Sequence, residues 1–191
     1  MGKGRMETFS DGVIAIVLTI MVLEFKVPMS TKWIALLPMA PVLLSYVLSF
    51  MFIGIYWNNH HHLLQVTKNV DGKTLWANLH LLFWITLIPF VTAYMGENHV
   101  APVPVALYGI VQLGCAIAYY ILTRSLVRLH GKSSVISKAL GEDLKGQISL
   151  TLYTLAVPLA FVLPVASVVI YVLVALLWLI PDSRIENHLT K

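Results

Sequence analysis

The sequence predicts an all-α polytopic membrane protein with six transmembrane helices. Three observations carry that expectation. Of its 191 residues, 58% are hydrophobic and only 12% charged, against about 45–50% apolar and about 25% charged in an average soluble domain. The apolar residues gather into runs of spanning length, a bilayer-crossing helix taking about 20 of them. The basic residues fall on alternate loops. Nothing is left over for a soluble catalytic domain. The single cysteine, Cys115, lies in an apolar run and excludes a disulfide framework or a thiolate metal cluster. No nucleic-acid motif is present.

The apolar runs place spans near 7–26, 33–57, 74–95, 103–127, 147–163 and 165–180, in one domain covering 1–191. The first is not a signal peptide, because no small-residue cleavage site follows it, and Leu23-Glu24-Phe25-Lys26-Val27-Pro28 reads as a helix exit. Trp33, Trp57, Trp76 and Trp178 mark span ends, where amphipathic rings belong. Residues 147–180 as one helix would measure about 50 Å at 1.5 Å per residue, far beyond a hydrocarbon core of about 30 Å. Pro158 and Pro164 interrupt that run, so two short spans with a hairpin at Pro164 are expected. Residues 128–146 form the one sizeable polar linker, with some helix.

Eleven of the thirteen Lys and Arg residues then lie on one side, from Lys3 and Arg5 to Arg184 and Lys191, and only Lys26 and Lys32 on the other. This positive-inside bias puts both termini in the cytoplasm and requires an even number of spans.

Span 1 is unusual in opening with ionisable residues, Arg5-Met6-Glu7-Thr8-Phe9-Ser10-Asp11-Gly12, which in a membrane must face protein or water. At 100° per residue Gly12, Ile16, Thr19, Ile20 and Leu23 share a face. Ile14, Val17 and Met21 make the opposite face apolar too, so periodicity does not separate a pore face from a lipid face. Thr19 either serves a pore or bonds back to its own backbone, as threonine often does in membrane helices. Arg5 and Asp11 either snorkel to the interface or bond neighbouring helices. Glu24 at the outer end is an interfacial anchor or a cation-attracting group.

The stretch Arg5-x-x-x-Phe9-Ser10-Asp11-Gly12, continuing through Val13 to Glu24, resembles the first helix of the prokaryotic transmembrane protein 175 potassium channels. Tyr56-Trp57-Asn58-Asn59-His60-His61 is similar to the family's end of helix 2, and Asn78-Leu79, Leu82 and Pro89-Phe90-x-Thr92 to its helix 3. The resemblance implies a homotetramer in a prokaryotic plasma membrane, passing potassium along helix 1. It implies a channel without a reentrant filter loop, and no Thr-Val-Gly-Tyr-Gly stretch occurs. The motif occurs once, matching single-unit tetramers rather than the two-unit animal form. Ile16 then takes the hydrophobic constriction, with Ile20 and Leu23 outward of it, and Thr19 the position that favours potassium. Its partners are other copies of itself, K+ and the lipid bilayer, with no cofactor.

Consecutive histidines at 60–62 point about 100° apart on a helix and do not converge on a metal. The resemblance supports instead a network in which His60, His61 or His62, with Asn78, holds Arg5 and Asp11, beside Phe9 and Ser10. Histidine titrates near neutrality, so cytosolic pH would bias such a network. Neither a catalytic triad spacing nor a Walker loop supports an enzyme. The competing reading is a secondary transporter or proton pathway along the same helix, although no inverted repeat is visible. A non-conducting scaffold is the third.

Overall fold

The computed structural model describes residues 2–131, 134, 137 and 143–179, all of whose long elements are helical. The first helix, α1, spans Gly4–Leu23. A 3-10 helix, Trp33–Met39, leads into α2, Ala40–Gln65. Pro41 stands in the first turn of α2, where its missing N–H would have no partner. Helices α3 (Gly72–Thr86) and α4 (Ile88–Glu97) form one rod broken at Leu87. The cause is Pro89, which lacks the N–H that would bond Ile85. Helix α5 covers Pro102–His130, α6 Leu144–Leu159 and α7 Pro164–Leu179.

Among the described residues, four rods are long and apolar enough to cross a membrane: Gly4–Leu23, Trp33–Gln65, Gly72–Glu97 and Pro102–His130. Helices α6 and α7 have 16 residues each and pack as a hairpin whose turn ends at Pro164. The all-helical expectation holds. Residues 132–133, 135–136, 138–142 and 180–191 lie outside the described residues, so most of the polar linker and the basic groups of the C-terminus are not placed.

Helix α5 is the hub, packed against α3, α4, α6 and α7, whereas α1 packs on α2, α3 and α4 at the edge of the bundle. Local chemistry fixes the ends. Asp71 caps α3, its Oδ1 accepting the Thr74 N–H at 2.8 Å and the Thr74 hydroxyl at 2.7 Å. These bonds hold its carboxyl below the usual range. The Lys3 ammonium donates to the Leu64 and Gln65 carbonyls, adding to the backbone bonds that close the C-terminus of α2 and tying the chain start to it. After α4, the His99 N–H bonds Gly96 O and the Val100 N–H bonds Met95 O, closing the helix. That closure puts His99 at φ 49° and Val100 at φ 61°, a left-handed conformation that strains a β-branched residue.

Candidate functional site

Helix α1 has two faces of opposite fate. Met6, Ser10, Ile14, Val17 and Met21, spaced three or four apart, are buried against the rest of the bundle. On the other face Phe9 is 55% exposed, Ile16 58%, Ile20 42% and Leu23 78%, with Gly12 and Thr19 also exposed. In the single chain the Gly12–Leu23 stripe is therefore on the outside of the bundle, a position open to a pore face and to a lipid face alike. Ile16, Ile20 and Glu24 line an open groove of ≈ 430 Å³ shared with Thr86, Pro89 and Phe90 at the break in the third rod. Thr86 was not singled out by sequence reasoning. Its signal was the nearby Pro89, which opens the rod where Thr86 stands.

The Thr19 hydroxyl donates to the Ile16 carbonyl at 2.9 Å. This is the backbone bond open to any membrane threonine, and it is compatible with a pore role. With the proton spent on Ile16, the oxygen keeps lone pairs directed away from the helix. Glu24 is exposed just past the last turn of α1. Beside it the Lys26 ammonium meets Glu97 Oε1 at 2.7 Å, a bond that holds the lysine's pKa above its ordinary value.

The opposite end of α1 is anchored through side chains. Ser10 Oγ donates to Met6 O at 2.8 Å and accepts from Asn78 Nδ2 at 2.9 Å. Asn78 Oδ1 lies 2.8 Å from His60 Nε2. Because the amide oxygen only accepts, Nε2 carries the proton, and the buried Nδ1 has no partner among the described residues. Asp11 is held elsewhere: the Trp57 indole N–H donates to its Oδ1 at 3.1 Å. His61 stacks on Trp57 at 5.9 Å, stands 3.7 Å from Glu7 Oε1 and pairs with Gln65 at 2.7 Å. The His62 ring lies beside that of His61, with centroids 5.9 Å apart.

The grip expected on Arg5 and Asp11 is therefore distributed differently. Asn78 and His60 hold Ser10; Trp57 holds Asp11. Arg5 and Phe9 are exposed, and Arg5 has no hydrogen-bond or ionic partner among the described residues. Helical geometry explains the shift, since Ser10 faces α3 while Asp11, 100° further round, meets α2.

Known proteins share this architecture. Residues 5–89 match the family described as Endosomal/lysosomal potassium channel TMEM175. A potassium channel of Chryseobacterium sp. (strain P1-3) is 51% identical over 191 residues, covering 100% of both chains. The chain belongs to the TMEM175 family. An endosomal/lysosomal proton channel TMEM175 of Rattus norvegicus is 33% identical over 133 residues, which is 63% of this chain and 26% of the rat protein. The crystal structure of a lysosomal potassium-selective channel TMEM175 homolog from Chamaesiphon minutus superimposes with a TM-score of 0.80. It is 29% identical in sequence and covers 94% of this chain and 97% of its own. This TMEM175-family protein is thus a multi-pass membrane ion channel and not an enzyme. The stretch matched by the family, 5–89, contains all of α1 but Gly4, the anchoring residues of α2 and α3, and the break at Leu87.

Proposed function

We propose that the protein is a modestly potassium-selective channel whose pore runs along α1 at the centre of a homotetramer. The carrying observation is the outward apolar stripe of α1. One helix cannot enclose a path, but symmetry-related copies of the same stripe can, and a single six-helix domain over 1–191 supplies one copy per subunit. Both termini are assigned to the cytoplasm of a prokaryotic cell by the basic-residue bias. Potassium is favoured because the Chryseobacterium relative and the crystallised Chamaesiphon homolog are described as potassium channels.

In this arrangement a ring of Ile16 side chains, followed by Ile20 and Leu23, stops ions by excluding water from a narrow passage. Opening must widen or rotate the ring until it rewets. Four Thr19 oxygens replace part of a hydration shell, which costs less for K+ than for the more tightly hydrated Na+. A ring of Glu24 carboxylates concentrates cations at the outer mouth. The anchor set of Ser10, Asp11, His60, His61 and Asn78, joined by Trp57, fixes the rotation of α1 and so the aim of the stripe. The name of the rat relative favours protons as a second permeant ion.

Flux from liposomes tests the assignment. Passive K+ efflux should exceed Na+ efflux, and Ile16→Asn, which makes the constriction polar, should raise efflux about tenfold or more by removing a dewetting barrier. A transporter would instead lose coupled turnover in Ile16→Asn, and a scaffold would show no flux in either form. A pH-sensitive dye in the same vesicles reads proton entry.

A further inference from the structure

The two halves of the third rod have different partners. Helix α3 packs chiefly on α5, whereas α4, beyond the break, packs chiefly on α2. A line of four side chains, all buried, joins these partners. The Gln112 amide of α5 donates from Nε2 to Tyr108 Oη at 3.1 Å, and Tyr108 Oη lies 3.0 Å from Ser49 Oγ of α2. Ser49 Oγ lies 2.6 Å from Thr92 Oγ1 of α4. Thr92 Oγ1 in turn lies 2.6 Å from the carbonyl of Ile88, the first residue of α4.

The protons of this line have one arrangement. A carbonyl only accepts, and two oxygens 2.6 Å apart need a proton between them, so the Thr92 hydroxyl donates to Ile88 O. Ser49 must then donate to Thr92, Tyr108 to Ser49, and the Gln112 N–H to Tyr108. Each hydroxyl donates once and accepts once. The order leaves Gln112 Oε1 buried with no partner among the described residues. Turning the amide over would give that oxygen the Tyr108 proton, but would leave one oxygen pair of the line without a proton. The end at Ile88 therefore dictates the end at Gln112, and three helices are joined in one direction.

None of the four residues lines the groove beside α1, yet they reach it through α4. Thr92 and Phe90 are two residues apart and so point about 200° apart on the helix. Thr92 enters the buried line, and Phe90, 61% exposed, enters the groove with Ile16 and Ile20. Pro89 removes a backbone bond across the break, so side-chain contacts carry more of the angle between α3 and α4. We propose that Gln112, Tyr108, Ser49 and Thr92 are positioning residues for the ion path. Their tie to α2 and α5 fixes the angle of α4, and with it how closely Phe90 backs Ile16 and Ile20. A looser α4 lets the isoleucines move outward, so the constriction rewets more readily. This inference rests on the assignment of the pore to α1.

Efflux of K+ and of Na+ from liposomes holding the full chain reads the effect. Thr92→Val keeps the side chain's shape and removes its hydroxyl. It should raise K+ efflux about two- to tenfold, the factor one hydrogen bond spans when all of it bears on opening, and lower the K+/Na+ ratio. Thr92→Ser keeps the hydroxyl and should restore both readings. Tyr108→Phe cuts the line at α5, should act in the same direction, and serves if Thr92→Val does not fold. Ser167→Ala removes a buried hydroxyl that donates to Ala156 O at 2.8 Å between α7 and α6, away from the groove, and should change neither reading. Added to Ile16→Asn, whose constriction is already polar, Thr92→Val should raise efflux no further. Efflux and ratio unmoved by both Thr92→Val and Tyr108→Phe, while Ile16→Asn raises efflux, overturns this inference and leaves the pore assignment standing. A fall in efflux, no restoration by Thr92→Ser, a further rise in the double variant, or the same change in Ser167→Ala overturns it as well. Ile16→Asn without raised efflux removes the pore assignment, and this inference falls with it.

Discussion

Ser10, Asn78 and His60 are 0%, 2% and 1% exposed, and the two ends of one amide join them across three helices. Their value lies in what would be left unpaired. Ser10→Ala strands the Asn78 N–H in the core and should cost about 1–3 kcal/mol of stability. Asp11→Asn keeps an oxygen for the Trp57 indole in a partly solvated place and should change stability by no more than about 0.5 kcal/mol. Thermal unfolding of the solubilised protein reads both; an equal loss in the two variants would mean that burial does not rank these contacts. The sequence made Ser10, Asn78 and His60 visible as polar residues in apolar runs. It did not show who pairs with whom, because the bonds join positions 18 and 68 apart, beyond any helical period. Trp57 was readable only as an interfacial ring, since its bond to Asp11 depends on how α1 and α2 cross.

At the scale of elements, hydropathy finds helices better than it finds their ends. The second span reads to Trp57, yet α2 continues to Gln65. Asn58 to His62 end the apolar run without ending the helix: the Asn59 amide bonds back to Ile55 O, His60 meets Asn78 of α3 and His61 stands beside Glu7 of α1. The third apolar run is continuous through Leu87, so its break was legible only as Pro89. Close packing between rods was not legible at all. Gly96 of α4 sits against α2, where an added Cβ would come within 2.8 Å of Val42 Cα and 3.3 Å of its nitrogen. Backbone cannot swing aside as a side chain can, so Gly96→Ala should overpack the crossing and cost about 1–3 kcal/mol. Gly12 has nothing within 4 Å. Gly12→Ala should be neutral or gain about 0.5–1 kcal/mol through lower backbone entropy in the unfolded chain. Midpoints of thermal unfolding that move together for the two variants would show that the α2–α4 contact is looser than the structure has it.

At the scale of the whole molecule, the open question of the assembly is what the outward stripe of α1 meets. If copies surround an axis, residues on that stripe lie near their own symmetry mates, whereas residues on the far side of the subunit do not. The chain offers a clean background for testing this, because Cys115 is its one cysteine and is fully buried. Leu23→Cys would place a thiol at the exposed end of the stripe. Leu173→Cys would place one on α7, 56% exposed, in a helix packed on α2, α5 and α6 rather than on α1. A short bis-maleimide applied to dilute, detergent-solubilised protein should give covalent dimers with Leu23→Cys and leave Leu173→Cys monomeric on denaturing gels. The reach of the reagent matters, since thiols across a pore are further apart than the roughly 4.4–6.8 Å between Cα atoms that a disulfide tolerates. Efflux through the Leu23→Cys channel should fall after cross-linking if the stripe must move to open. Dimers from Leu173→Cys but not Leu23→Cys would turn α1 toward lipid, and the outward isoleucines would then be a membrane face with the ion path elsewhere.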